Sequence, residues 1–265
     1  MPKLYYHPGA LVIVVEKVRF LGYAGIGLMV VTGVVLTRLF SGIDLNETVL
    51  MEAFGYNNVC AYFDAPPSTY VLPFMWAATM TLWLTSILGQ WLQMRTELAA
   101  GNMRPRLYTF LTRLKAFEAV TIVAFSGVFA VTPEGLDHTL YVHTTPFFLL
   151  QLGLVSLAMS NTLYGTRGGY WERLGMPSWF SRGAVVYCVV FAIVVALKIP
   201  MTINAMAGDP WWSRSDGSIL FAKSLDRAFL LLAAVVPMVK TGYLLRTRGH
   251  LLERVRISLE PAKEA

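Results

Sequence analysis

The chain offers few groups that could do chemistry, and most of them sit where a helix would cross a lipid bilayer. Four charged residues fall in or at the ends of long apolar runs: Arg38, Glu118, Lys198 and Lys240. A charge in hydrocarbon is costly, so each needs a partner, an exit to water or a role. Arg38 and Lys240 lie near the ends of their runs and can extend to the surface, and Glu118 sits at an inner end. Lys198 is deeper, in VVALKIPMTINA, and Pro200 follows it. Proline removes a backbone donor and clashes with an earlier carbonyl, so a kink is expected there and at Pro237. The expected arrangement is a polar outer vestibule, in which Lys198 extends toward Asp209 and toward His143 at the mouth of a neighbouring span. These three residues are the candidate contacts for a lipid headgroup. Because such a site would be wet, Lys198→Met should be tolerated.

Histidine is scarce. His7, His138, His143 and His250 are the complete set. A haem held by two imidazoles needs them on facing helices, and the sequence does not supply such a pair. Glu134, Asp137, His138 and His143 cluster in one segment, but a hydrogen-bonded loop explains them better than a metal. Cys60 lies in a polar loop and Cys188 in an apolar run, at different membrane levels, so no disulfide is expected between them. There is no CxxC pair, HExxH, nucleophile elbow or phosphate loop. No catalytic residue, cofactor or metal ligand is therefore expected.

The elements that position these groups follow from composition. Hydrophobic residues make up 55% of the chain and charged residues 14%, with a mean hydropathy of +0.54. Ordinary soluble domains are about one-quarter charged. The apolar residues gather into runs long enough to span a bilayer. Six spans are expected, at about 20–40, 69–92, 116–132, 144–164, 183–206 and 226–245. The fold class is an all-α polytopic bundle, a single domain over residues 1–265.

Orientation follows from the basic residues. With the N-terminus inside, the inner segments carry 16 Lys and Arg, while the outer segments carry Arg214, Lys223 and Arg227 only. Positive charge is retained on the inner side of a membrane. The bias alternates at every loop, which six spans explain and five or seven do not. Both termini are thus expected inside. The net charge of +6 is absorbed by this pattern and does not point to nucleic acid. The first outer loop, about 41–68, is long and acidic, with no Lys or Arg. It contains the sequon Asn46-Glu47-Thr48, a candidate glycosylation site on that side. Trp211 and Trp212 on one side, and Trp91, Trp171 and Trp179 on the other, fit interfacial aromatic belts. Small residues in the first and fourth spans, among them Gly22, Gly25, Gly153 and Ser160, should allow close helix approach within the chain.

Residues 119–165, AVTIVAFSGVFAVTPEGLDHTLYVHTTPFFLLQLGLVSLAMSNTLYG, resemble the FRAG1/DRAM/Sfk1 family of six-span membrane proteins. The likeness is a glycine-containing span, a short outer loop, then a histidine, here His143, opening a span rich in Phe, Gly and Tyr. The sixth span departs from the pattern, with Leu225-Asp226-Arg227 where the family often has Glu-Trp. The resemblance implies roles in membrane or lipid organisation, in an endomembrane or the plasma membrane. The expected function is a non-enzymatic membrane protein that binds or organises lipid or partner membrane proteins. One alternative is an accessory subunit of a large energy-transducing complex, such as one of the mitochondrial inner membrane. Another is a transporter or channel built on Lys198 and the kinked helices.

Overall fold

The computed structural model describes residues 10–132, 138–207, 215–252 and 254–258. Five helices are long and apolar enough to cross a membrane. They are α1 (Val15–Phe40), α3 (Ser68–Ala99), α5 (His138–Thr166), α7 (Ser178–Ala207) and the composite helix Asp216–Arg248. A short helix in the segment between α1 and α3, Val49–Phe54, is α2. Residues read from sequence as a third span, 116–132, lie instead on α4 (Pro105–Ala124) and a 3-10 turn, Phe125–Phe129. This helix carries Arg106, Arg113, Lys115 and Glu118 and does not rank with the five. A single turn, α6 (Tyr170–Arg173), links α5 to α7.

The helices outrun the apolar stretches that announce them. A helix stops at a backbone signal, not at the edge of the hydrocarbon. At the end of α3, Gly101 takes φ +76°, and the Asn102 N–H donates to the Glu97 carbonyl at 2.9 Å. That is a left-handed closure which glycine adopts without strain. The last helix is in three parts, α8 (Asp216–Leu230), a π turn (Leu231–Val235) and α9 (Val236–Arg248). Pro237 has no N–H to return to the preceding turn, and the widened turn sits directly before it. Pro200, by contrast, lies within a helix that continues to Ala207.

One feature departs from an all-α reading. β1 (Ala10–Val14) and β2 (Arg254–Ser258) form a two-stranded antiparallel ribbon, with Ala10 opposite Ser258 and Val14 opposite Arg254. The cause is local: LVIV and RVRI are rich in β-branched residues, which suit a pleated strand. The ribbon brings both ends of the helical bundle to one face.

The bundle is apolar on its outside as well as within. Leu28, Val31, Phe74, Val186, Ile193 and Val239 are exposed on helix surfaces, the side a bilayer would cover. Inside, Trp76, Phe125 and Phe147 stack edge to face, with ring centres 4.6 and 4.9 Å apart. Glycines set the closest approaches. A Cβ on Gly22 would lie 2.1 Å from Trp83 Cδ1, and one on Gly153 would lie 2.1 Å from Thr121 Oγ1. Gly27, on the same helix as Gly22, faces open space.

Candidate functional site

The segment between α1 and α3 folds into a cap over one end of the bundle. Thr48 starts α2 by accepting from the Met51 N–H at 3.1 Å, and Gly55 ends it at φ +73°. Asn58 caps a 3-10 turn, Val59–Tyr62, by accepting from the Cys60 N–H. Leu50, Phe54, Tyr56, Cys60 and Phe63 are then buried in the main core. Thr37 of α1 donates to the Tyr62 carbonyl at 3.0 Å, which ties the cap to the helix beneath it.

Lys198 lies under this cap and is 8% exposed. Its ammonium forms an ion pair with Asp226 of α8. The second oxygen of Asp226 accepts from the Tyr56 hydroxyl at 2.5 Å. One carboxylate thus joins α7, α8 and the cap. Burial and the neighbouring Asp226 charge push the Tyr56 hydroxyl pKa up, so it remains a donor. A cavity of about 40 Å³ adjoins the pair and is lined in part by Cys60, Thr144, Gln151, Lys198 and Asp226. Burial also pushes the Cys60 thiol up, away from nucleophilic character.

His143 does not meet Lys198 directly. Its Nδ1 lies 2.7 Å from the Val131 carbonyl, so that nitrogen carries the hydrogen and donates. Its Nε2 faces Asp64 Oδ1 at 3.4 Å. Two lone pairs would repel there, so a proton belongs to one of the two groups. Burial pushes the Asp64 carboxyl up to about 7, which makes this proton labile near neutrality. Asp209, the third vestibule candidate, lies outside the described residues, as do Glu134 and Asp137. The charge that meets Lys198 is Asp226. Asn46 is exposed on a turn, where its N–H donates to Asp44 Oδ1 at 2.8 Å.

The cap also carries a larger groove that opens to its surface, where Asp44 and Glu47 are exposed. A cavity of about 420 Å³ lies between residues 43–50 and 61–66. Asp44, Glu47 and Asp64 line it together with Ile43, Val49, Leu50, Ala61, Ala65 and Pro66. It is amphipathic, with three carboxylates set among apolar walls and no basic side chain among the described lining residues.

A second polar group lies between α4 and α5. Lys115 Nζ donates to Glu118 Oε2 and to Ser160 Oγ, both at 2.8 Å, and Ser160 Oγ donates to Glu118 Oε1 at 2.6 Å. Lys115 is 3% exposed and Glu118 is fully buried. The sequence reading placed Lys115 in an inner loop. Two clues to this network were present: opposite charges spaced i,i+3 and serines Ser156 and Ser160 spaced i,i+4. Asp226 carried a clue too, as an acid beside a long apolar run. Tyr56 and Asp64 carried none, since only the cap's folding brings them in. No protein-family model, curated protein or solved structure matches this chain.

Proposed function

We propose that the chain is a non-enzymatic membrane protein that crosses the bilayer six times, has both ends on the inner side, and holds the cationic headgroup of a zwitterionic lipid in the groove of its outer cap. Pairing of Ala10–Val14 with Arg254–Ser258 supports an even number of crossings, because it keeps both ends of the bundle at one face. Five long apolar helices then require α4 and its 3-10 turn as the sixth. The Lys115 and Glu118 charges of α4 are satisfied against α5, away from lipid, which makes such a crossing affordable. The Lys and Arg distribution favours the inner side for both ends.

The observation that carries the lipid reading is the 420 Å³ cavity with Asp44, Glu47 and Asp64 on apolar walls. Carboxylates attract an ammonium group, and the apolar walls suit the glycerol and upper chain beside it. Lys198–Asp226–Tyr56 and His143–Asp64 then act as struts that hold the cap in shape. This agrees with the lipid-organising roles that the FRAG1/DRAM/Sfk1 resemblance implies. The test is to purify the full chain in mild detergent and measure retained lipids by mass spectrometry. The triple variant Asp44→Asn/Glu47→Gln/Asp64→Asn should lose choline and ethanolamine lipids several-fold relative to anionic lipids. An unchanged ratio in a folded variant rules the proposal out.

An accessory-subunit reading is favoured by the ribbon. With two strands, β1 and β2 leave main-chain donors and acceptors on both outer edges, ready to pair with a neighbouring chain. Migration on a native gel after mild extraction distinguishes this, since a subunit would run within a very large complex. A transport reading draws less support. The interior charges Lys198 and Lys115 are paired with Asp226 and Glu118.

A further inference from the structure

The inner half of the bundle contains a polar cavity that the lipid reading does not use. Six helices converge on it: α1 with Glu16, Arg19 and Tyr23, α3 with Gln90, α5 with Asn161, α6 with Tyr170 and Trp171, α7 with Phe180, and α9 with Lys240. Its volume is about 20 Å³. A lipid headgroup does not fit in that space, but one water does, since a water needs roughly 10–15 Å³ on this measure.

The lining atoms specify the occupant further. Glu16 Oε2, Gln90 Oε1, Asn161 Oδ1 and Arg19 Nε are buried and have no hydrogen-bond partner among the described residues. Glu16 and Gln90 are each 1% exposed, and Arg19 is 9% exposed. The other Glu16 oxygen is already engaged by the Tyr170 hydroxyl at 2.8 Å. Three of the four atoms accept and one donates. A molecule that meets them must both give and take hydrogens. A halide takes hydrogens but gives none, so it would leave the acceptors unmet, beside a carboxylate. Water does both, and buried waters usually make about three such bonds. Leaving a buried polar atom unmet is costly, so there is a strong drive to fill the site.

We propose that an ordered water occupies this cavity and bridges Glu16, Arg19 and Gln90, joining α1 to α3 at the inner end of the bundle. The contrast lies elsewhere in the same protein. A cavity of about 40 Å³ around Trp76, Phe125 and Phe229 is larger but lined by apolar residues, and an apolar void of this kind stays dry.

Hydroxyl-radical footprinting of the full chain in lipid nanodiscs tests the proposal, because radicals generated from bound water modify the side chains beside it. Trp171 and Trp76 are almost equally buried, at 5% and 2% exposure, so they form an internal comparison. Trp171 should be modified several-fold faster than Trp76. Gln90→Leu should bring Trp171 down toward the Trp76 rate. Equal rates for the two tryptophans in the wild-type chain would overturn the proposal, whether or not the variant folds. Loss of Trp171 modification on exchanging chloride for gluconate would also overturn it, by assigning the site to an anion.

Discussion

Lys198 and Asp226 form a buried ion pair across α7 and α8, 28 residues apart in the chain. Their side chains are 10% and 14% exposed, so water does little to screen either charge. This reverses the expectation that Lys198→Met would be tolerated. Removing the lysine leaves Asp226 with Tyr56 but without its counter-charge. Loss of one partner from a buried pair typically costs about 3–5 kcal/mol. Replacing both can be neutral, because no charge then remains to be desolvated. Thermal unfolding should therefore show a large loss for Lys198→Met and a substantial recovery for Lys198→Met/Asp226→Leu. Additive losses in the double variant would mean that the two residues do not interact.

The Asp64 carboxyl gives a pH dependence of definite sign. Burial raises it from 3.8 to about 7. Between these values the unfolded chain is ionised while the folded chain keeps the proton. The folded state therefore binds more protons, and stability falls as pH rises through this window. The contribution is fully present below about pH 4 and gone above about pH 7. Melting temperatures recorded from pH 4.5 to 8 should decline for the wild-type chain. Asp64→Asn should flatten that decline. An identical slope in the variant would show that Asp64 does not set it.

Helix approach can be tested with two glycines on one helix. A side chain at Gly22 meets Trp83 at 2.1 Å, while one at Gly27 meets nothing within 4 Å. Gly22→Val should destabilise by about 1–3 kcal/mol through overpacking. Gly27→Ala should be neutral or stabilise by up to about 1 kcal/mol, because alanine loses less backbone entropy in a helix. Similar effects at both sites would contradict the α1–α3 packing.

The ribbon makes a crosslinking prediction. Ile13 and Val255 are opposite one another in β1 and β2. Directly opposed Cα atoms in an antiparallel pair lie about 4.5–5.5 Å apart, within disulfide range. In a background where Cys60 and Cys188 are replaced by serine, Ile13→Cys/Val255→Cys should crosslink under mild oxidation. Ile13→Cys/Ser258→Cys, out of register, should not. The same introduced thiols should also label from the same side of the membrane. Opposite-side labelling would exclude six crossings.

The long helices were legible because burial in lipid demands uninterrupted apolar runs. Their ends were not, because Gly101 and similar stop signals lie beyond those runs. The sixth span read as 226–245 begins at Asp216. Read from sequence, Asp226 looked like a helix start at the interface. The ten additional residues place it inside the helix, where its charge needs Lys198. The 41–68 loop was legible as a folded segment but not as a site. Tyr56 reaches Asp226 across 170 residues, and a contact of that separation leaves no periodicity to read. The β1–β2 pairing was missed for the same reason: each strand is five residues long and finds its partner at the far end of the chain.

That pairing also dictates the order of biogenesis. β1 leads into α1, while β2 follows α9. The ribbon therefore cannot close until α9 has been made and inserted. Until then α1 lacks its packing partners on α9, and the polar groups of Glu16 and Arg19 wait without the walls that α6 and α9 supply. The nascent chain is thus an open arc of helices, with the polar inner surface of α1 not yet covered by α9. Strand closure is the step at which it becomes a finished ring.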